Sequence, residues 1–164
     1  MSDEFIAQAI AEARASYREG GLPIGSLLVK DGRVLGRGRN TLYQNGDPTG
    51  HAEMEAFRDA ARRAAETHPP DEIEALIIGG IVYTTMMPCE MCAGAIIRFR
   101  AARVVVAETR SYRPSATQRL MELQGIEVVV LDEADSVALV ETYYAEHPEK
   151  RAAWTSPCEP GLQL

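Results

Sequence analysis

Residues 76–98 decide the fold: Leu76-Ile77-Ile78-Gly79-Gly80-Ile81-Val82-Tyr83-Thr84-Thr85-Met86-Met87-Pro88-Cys89-Glu90-Met91-Cys92-Ala93-Gly94-Ala95-Ile96-Ile97-Arg98. The nearly continuous apolar run from Leu76 to Thr84 predicts a strand covered on both faces. Pro88 then predicts a helix, opened at its favoured first position and running to about Arg98. Val104-Val105-Val106 follows as a short buried strand.

On the N-terminal side, residues 3–18 are rich in helix formers. Phe5, Ile6, Ile10, Ala13 and Tyr17 mark an apolar stripe, and Gly20-Gly21 stops the helix. Ile24 to Val29 reads as a strand. The Asp-Gly of Lys30-Asp31-Gly32-Arg33 turns the chain, and Val34 to Gly38 returns as the second strand of a hairpin. Gly32, Gly36 and Gly38 therefore belong to a hairpin rather than to a dinucleotide-binding turn. Asn45-Gly46-Asp47-Pro48 is loop chemistry, and a second helix is expected from Gly50 to about Ala65, broken by His68-Pro69-Pro70-Asp71.

On the C-terminal side a helix is expected from Pro114 to Leu123, ended by Gly125. A strand from Ile126 to Leu131 and a helix from Asp135 to about Glu146 follow it, and the last sixteen residues read as an irregular tail. This alternation argues for one mixed sheet between helices, with the strands near residues 105 and 129 parallel. The fold class expected is α/β, a three-layer α/β/α sandwich with a five-stranded mixed sheet.

The 164 residues fit one domain. We divide it into residues 1–151 and a tail, 152–164, that is a candidate active-site lid. No apolar run reaches the roughly 20 residues that cross a bilayer, and the acidic Met1-Ser2-Asp3-Glu4 is unlike a signal peptide, so cytoplasmic residence and no membrane partner are expected. Seventeen Lys and Arg against 24 Asp and Glu leave a formal charge of −7. That balance weighs against nucleic acid as a partner. Arg98, Arg100, Arg103, Arg110 and Arg113 lie close in sequence, but read best as solvated side chains. Three cysteines, Cys89, Cys92 and Cys158, do not form a disulfide framework.

Two short segments carry the chemistry: His51-Ala52-Glu53 and Pro88-Cys89-Glu90-Met91-Cys92. Each falls at the start of an expected helix. One His and two Cys supply three ligands for tetrahedral Zn2+ and leave a position for water. The helix N-terminus favours the thiolate, which is the ligating form. Glu53 would sit beside the metal as a proton carrier. A lone C-x-x-C also fits a redox pair, and a structural zinc would need a fourth ligand. His68, His147 and Cys158 are poorly placed to supply one.

H-x-E paired with P-C-x-x-C matches the signature of zinc deaminases. Gly21-Leu22-Pro23-Ile24-Gly25, Gly36-Arg37-Gly38-Arg39-Asn40, Tyr83-Thr84-Thr85, Met87 to Ile97 and Gly125 to Val130 extend the match. Over roughly residues 5–148 the chain resembles the fungal-type cytosine deaminases of the cytidine-deaminase-like superfamily. It is also similar to tRNA adenosine deaminases and guanine deaminases.

The resemblance implies a catalytic Glu53 and a zinc site of His51, Cys89 and Cys92. It implies base contacts from Asn40 on the polar edge, Ile24 on the apolar face, Tyr112 over the ring, the Ala52 N–H and the Met87 carbonyl. A homodimer is implied as well. The departure is the tail. Where these cytosine deaminases carry a tryptophan and then an aspartate that contacts the departing amine, Trp154 stands at the aspartate's position and no aspartate follows. The expected activity is hydrolytic deamination of a free nucleobase, cytosine first, with isocytosine, guanine or a related amino-heterocycle next and a tRNA adenosine as the rival class. Trp154 is the leading candidate for a lid contact to the substrate.

Overall fold

The computed structural model describes residues 4–112 and 115–154. Helix α1 (Glu4–Arg18) leads into the hairpin of β1 (Gly25–Lys30) and β2 (Arg33–Arg39), followed by α2 (Leu42–Asn45), α3 (Ala52–Ala64) and α4 (Pro70–Ile77). Strand β3 (Ile81–Met86), α5 (Glu90–Arg98), β4 (Arg103–Glu108), α6 (Ser115–Leu123), β5 (Glu127–Val130), α7 (Ala134–Glu146) and α8 (Pro148–Trp154) complete the chain. The sheet order is β2-β1-β3-β4-β5, with β1 antiparallel to both neighbours and β3, β4 and β5 parallel. The five-stranded mixed sheet is the one expected from the sequence.

Strand periodicity sorts the core into two layers. Leu28, Val82, Val104 and Val106 pack against Phe57 and Ala60 of α3, Ala93 and Ile96 of α5 and Met121 of α6. Their neighbours Leu27, Val29, Tyr83, Val105 and Ala107 face Ile6, Ala9 and Ile10 of α1. Val140 and Tyr143 of α7 close the end of the sheet with Leu22, Ile24 and Met86. At the hairpin, Asp31 (φ 50°) and Gly32 (φ 70°) adopt the left-handed pair that an Asp-Gly turn supplies.

Three local expectations are corrected. The run from Leu76 to Thr84 is not one strand: Pro70 opens α4 at its first turn, with Asp71 and Glu72 behind it, so Leu76 and Ile77 end that helix. Gly79, at φ 78°, then turns the chain into β3. Pro88 is not the first residue of α5 but precedes its N-cap, Cys89. The tail begins as α8, opened by Pro148 and carrying Glu149 in its first turn, and this helix crosses the expected 151/152 boundary. Residues 155–164 of the proposed lid lie outside the described residues.

What sets the depth of α3 on the sheet is the absence of side chains on β2. A Cβ at Gly36 would overlap the Ala56 carbonyl and the Ala60 N–H, and one at Gly38 would overlap the Ala52 carbonyl and the Ala56 N–H. The helix backbone therefore lies directly on the strand through Ala52, Ala56 and Ala60. Along the same edge, Asp59 Oδ2 accepts the Arg37 N–H at 2.9 Å, and Arg39 pairs with Glu19 at 2.9 Å and Glu12 at 3.2 Å.

Gly38→Ala forces the start of α3 off the sheet. Overpacking of this kind costs about 1–3 kcal/mol, at about 2–4 °C of melting temperature per kcal/mol for a chain of this size. Calorimetry should show the drop, with metal content falling in parallel because His51 rides on the displaced helix end.

Candidate active site

Both chemical motifs sit at helix starts. His51 is the N-cap of α3 and Cys89 the N-cap of α5, and neither spends its side chain on capping its own helix. Cys92 follows within the first turn of α5 and is fully buried. Parallel strand β3 delivers α5 to the sheet's end, and the β2–α3 connection delivers α3 beside it.

The two sulfurs approach the same ring nitrogen. Cys89 Sγ lies 3.4 Å and Cys92 Sγ 3.6 Å from His51 Nδ1, and the three ligand atoms all fall within 4.8 Å of one another. Tetrahedral zinc, with bonds of about 2.3 Å to sulfur and about 2.0–2.1 Å to nitrogen, separates N and S by about 3.6 Å. The donor set and its spacing therefore fit zinc. Among the described residues no fourth His, Cys or carboxylate joins this group. His68 instead meets Thr67, and His147 meets Tyr143 and Glu149.

Charge is already arranged for a cation. A hydrogen bond from Cys92, opposed by burial and helped by His51, brings the Cys89 thiol down to about 4. Cys92 is pushed up by the same shared proton and by burial. Burial opposes a charged His51, but the bond to Cys89 and the nearby negative charge raise its pKa overall. Metal binding displaces these shared protons.

Glu53 is 4% exposed, and Thr84 Oγ1 donates to its Oε1 at 2.9 Å. Burial, then the Cys89 charge, holds this carboxyl above the usual carboxylate range, although His51 and Thr84 pull the other way. A carboxyl so buried holds its proton more tightly than an exposed one does.

A small cleft opens on these groups, and Ile24, Asn40, Ala52, Met87 and Tyr112 line it together with His51, Glu53 and Cys89. Asn40 is fully buried. Its Oδ1 accepts the Leu42 N–H at 3.2 Å, while its Nδ2 has no partner among the described residues. Ala52 is the first residue of α3, so its N–H has no acceptor within the helix. Trp154 closes α8, and its side chain lies outside the described residues.

Sequence reasoning did not single out Thr84 or Met86, which also lines the cavity. The signal for Thr84 was a pair of buried threonines, Thr84 and Thr85, near the end of a strand that is otherwise largely apolar. Nor did it see that buried Glu108, whose Oε2 accepts the N–H groups of Arg110 (2.6 Å) and Ser111 (2.9 Å), fastens the segment that carries Tyr112.

Residues 1–108 match the family model described as the cytidine and deoxycytidylate deaminase zinc-binding region. The chain belongs to that family. Its members are zinc-dependent hydrolytic deaminases, and this chain is one too. The deaminase is 34% identical to a cytosine deaminase of Candida albicans over 142 residues, 86% of this chain and 87% of the relative. It is 32% identical over 101 residues to a tRNA-specific adenosine deaminase of Aquifex aeolicus, covering 62% of each. Among solved structures, a tRNA:A34 deaminase superposes with a TM-score of 0.67 at 28% identity, over 82% of this chain and 97% of that one. A guanine deaminase from Nitrosomonas europaea shares the fold, with a TM-score of 0.70 at 23% identity over 86% of this chain and 83% of that one.

Metal analysis of the purified deaminase should find close to one zinc per chain. The Cys89→Ala, Cys92→Ala double variant should lose it and melt at a lower temperature, since a ligand held by the folded state alone stabilises that state.

Proposed function

We propose that this deaminase hydrolyses the exocyclic amine of a free nucleobase, with cytosine, giving uracil and ammonia, as the leading substrate. The observation that carries this reading is the Asn40 Nδ2 donor, unpartnered among the described residues, on a residue lining the cavity that holds Glu53, His51 and Cys89. A base with a carbonyl or ring-nitrogen acceptor on its edge satisfies that donor. Ile24 and Tyr112 offer apolar surface to its ring, and the Ala52 N–H and Met87 carbonyl offer further edge partners. The likeness to the Candida albicans cytosine deaminase along most of both chains supports the same reading.

In this scheme His51, Cys89 and Cys92 hold the metal. When bound, zinc lowers the pKa of a water ligand to about 7. Glu53, held by Thr84, would take one proton from the attacking water and pass it to the ring nitrogen beside the amine-bearing carbon. It would then take the second water-derived proton, from the hydroxyl now on that carbon, and pass it to the amine, which leaves as ammonia.

The tRNA adenosine deaminases are the rival relatives, but no arginine lines the cavity among the described residues, and three of the arginines clustered in sequence from the end of α5 onward are already paired, so they offer little to a phosphate backbone. Arg98 pairs with Glu74 at 2.5 Å, Arg103 with Glu127 at 2.6 Å and Arg110 with Asp132 at 2.7 Å. The proposal includes cytoplasmic residence and a homodimer. Exposed Leu120 and Leu123 on α6 and Val130 and Leu131 at the edge of β5 are the kind of apolar surface that a second copy would cover. No helix among the described residues is long and apolar enough to cross a membrane.

An ammonia-release screen over cytosine, isocytosine, guanine, cytidine and a tRNA anticodon stem-loop tests the substrate class. The highest kcat/KM is expected on a free base, and faster turnover of cytidine or the stem-loop than of every base would overturn the assignment. Glu53→Gln should keep zinc and fold while losing at least about 10²–10⁴ in kcat, the usual contribution of a positioned acid–base group.

A further inference from the structure

Asn40 can read a base edge only if its backbone and amide are held still, and the structure shows what holds them. Its N–H donates to the Ile24 carbonyl at 2.9 Å, and its Oδ1 is taken by the Leu42 N–H at 3.2 Å. Its carbonyl accepts twice, from Ser16 Oγ at 2.6 Å and from Gln44 Nε2 at 3.0 Å. Gln44 Nε2 also donates to Ser16 Oγ at 3.2 Å, closing a three-membered polar ring. Every polar atom of Asn40 except Nδ2 is thus engaged.

The anchors come from separate elements. Ser16 is fully buried on α1, while Gln44 belongs to α2. Gln44 has a socket made for it. A Cβ at Gly21 would overlap the Nε2, Cδ and Oε1 atoms of its amide, so only glycine leaves that amide its place. The amide is sunk deeply enough that its Oε1 finds no partner among the described residues. Leaving a buried acceptor unmatched is costly. That cost is tolerated while both Nε2 hydrogens point at Ser16 and Asn40.

We infer that Gln44, seated against Gly21 and backed by Ser16, is a positioning residue that aims the Asn40 Nδ2 donor at the substrate. The inference rests on the proposed edge-reading role of Asn40. It deepens that role by identifying residues outside the cavity that govern recognition. Neither Gln44 nor Ser16 lines the cavity, so neither touches the substrate, and their effect must pass through Asn40.

The test is a coupling experiment on the zinc-loaded protein, read by steady-state ammonia release on whichever base the wild type deaminates fastest. Gln44→Met keeps side-chain length and removes the donors. Gly21→Ala adds one methyl that displaces the movable end of Gln44. Each is made in the wild type and in Asn40→Ala, with zinc content and melting temperature measured alongside. In the wild type both should lower kcat/KM about five- to tenfold, mainly through KM, with zinc retained. In Asn40→Ala the same changes should shift kcat/KM less than about twofold, since the group they aim is gone.

Equal losses in both backgrounds would overturn the inference by showing a merely structural role, as would an impaired Asn40→Ala beside unimpaired Gln44→Met and Gly21→Ala. Full activity in Asn40→Ala would instead remove the edge-reading role itself. Should Gln44→Met fail to fold, Gly21→Ala decides the matter alone, because its clash falls on a flexible side-chain end rather than on backbone.

Discussion

The contact of bare backbone on bare backbone between β2 and α3 is the constraint from which the site follows. With Gly36 and Gly38 beneath Ala56 and Ala52, the helix rests closer to the strand than any side chain at those two positions would allow. Its first turn then brings His51 and Glu53 level with the end of β3, where Cys89 and Cys92 enter. An extra methyl at either glycine would lift the helix, and the ligand triangle of His51, Cys89 and Cys92 would open. Packing at the sheet edge and chemistry at the sheet end are one problem here.

A second dependence is electrostatic. Two thiol groups, an imidazole and a carboxyl are gathered where water is largely excluded, an arrangement that would be costly if every group carried its full charge. The protein manages it by sharing protons between Cys89, Cys92 and His51 and by keeping the Glu53 carboxyl reluctant to ionise. The Thr84 hydroxyl supplies a neutral donor that helps to fix Glu53 without adding charge.

Much of this was legible in the residues, for identifiable reasons. The five strands and five longer helices announce themselves through periodicity and Gly or Pro punctuation, and the Asp31-Gly32 turn through its backbone demands. His51, Glu53, Cys89 and Cys92 stand out because few folds have another use for that set. Boundaries were less readable. Leu76 and Ile77 look like strand because apolar runs do not declare their period, and only Pro70 and Gly79 assign them to α4. Helix α8 is too short to carry a pattern. Least visible were the partners of functional side chains. That Thr84 meets Glu53, that Glu108 fastens the Tyr112 segment, and that Ser16 meets Asn40 are facts of three-dimensional proximity with no spacing rule behind them.

The charged cover on β2 has a consequence of another kind. An edge strand normally offers its free N–H and C=O groups to any extended chain that drifts past. On β2 the Arg37 N–H is already spoken for by Asp59, and the Arg39 guanidinium, held between Glu12 and Glu19, guards the same border. A stray strand docking there would have to break those bonds and strand charged groups out of water. An extended chain therefore finds this edge, which lies beside the helix that carries His51 and Glu53, a poor template for pairing.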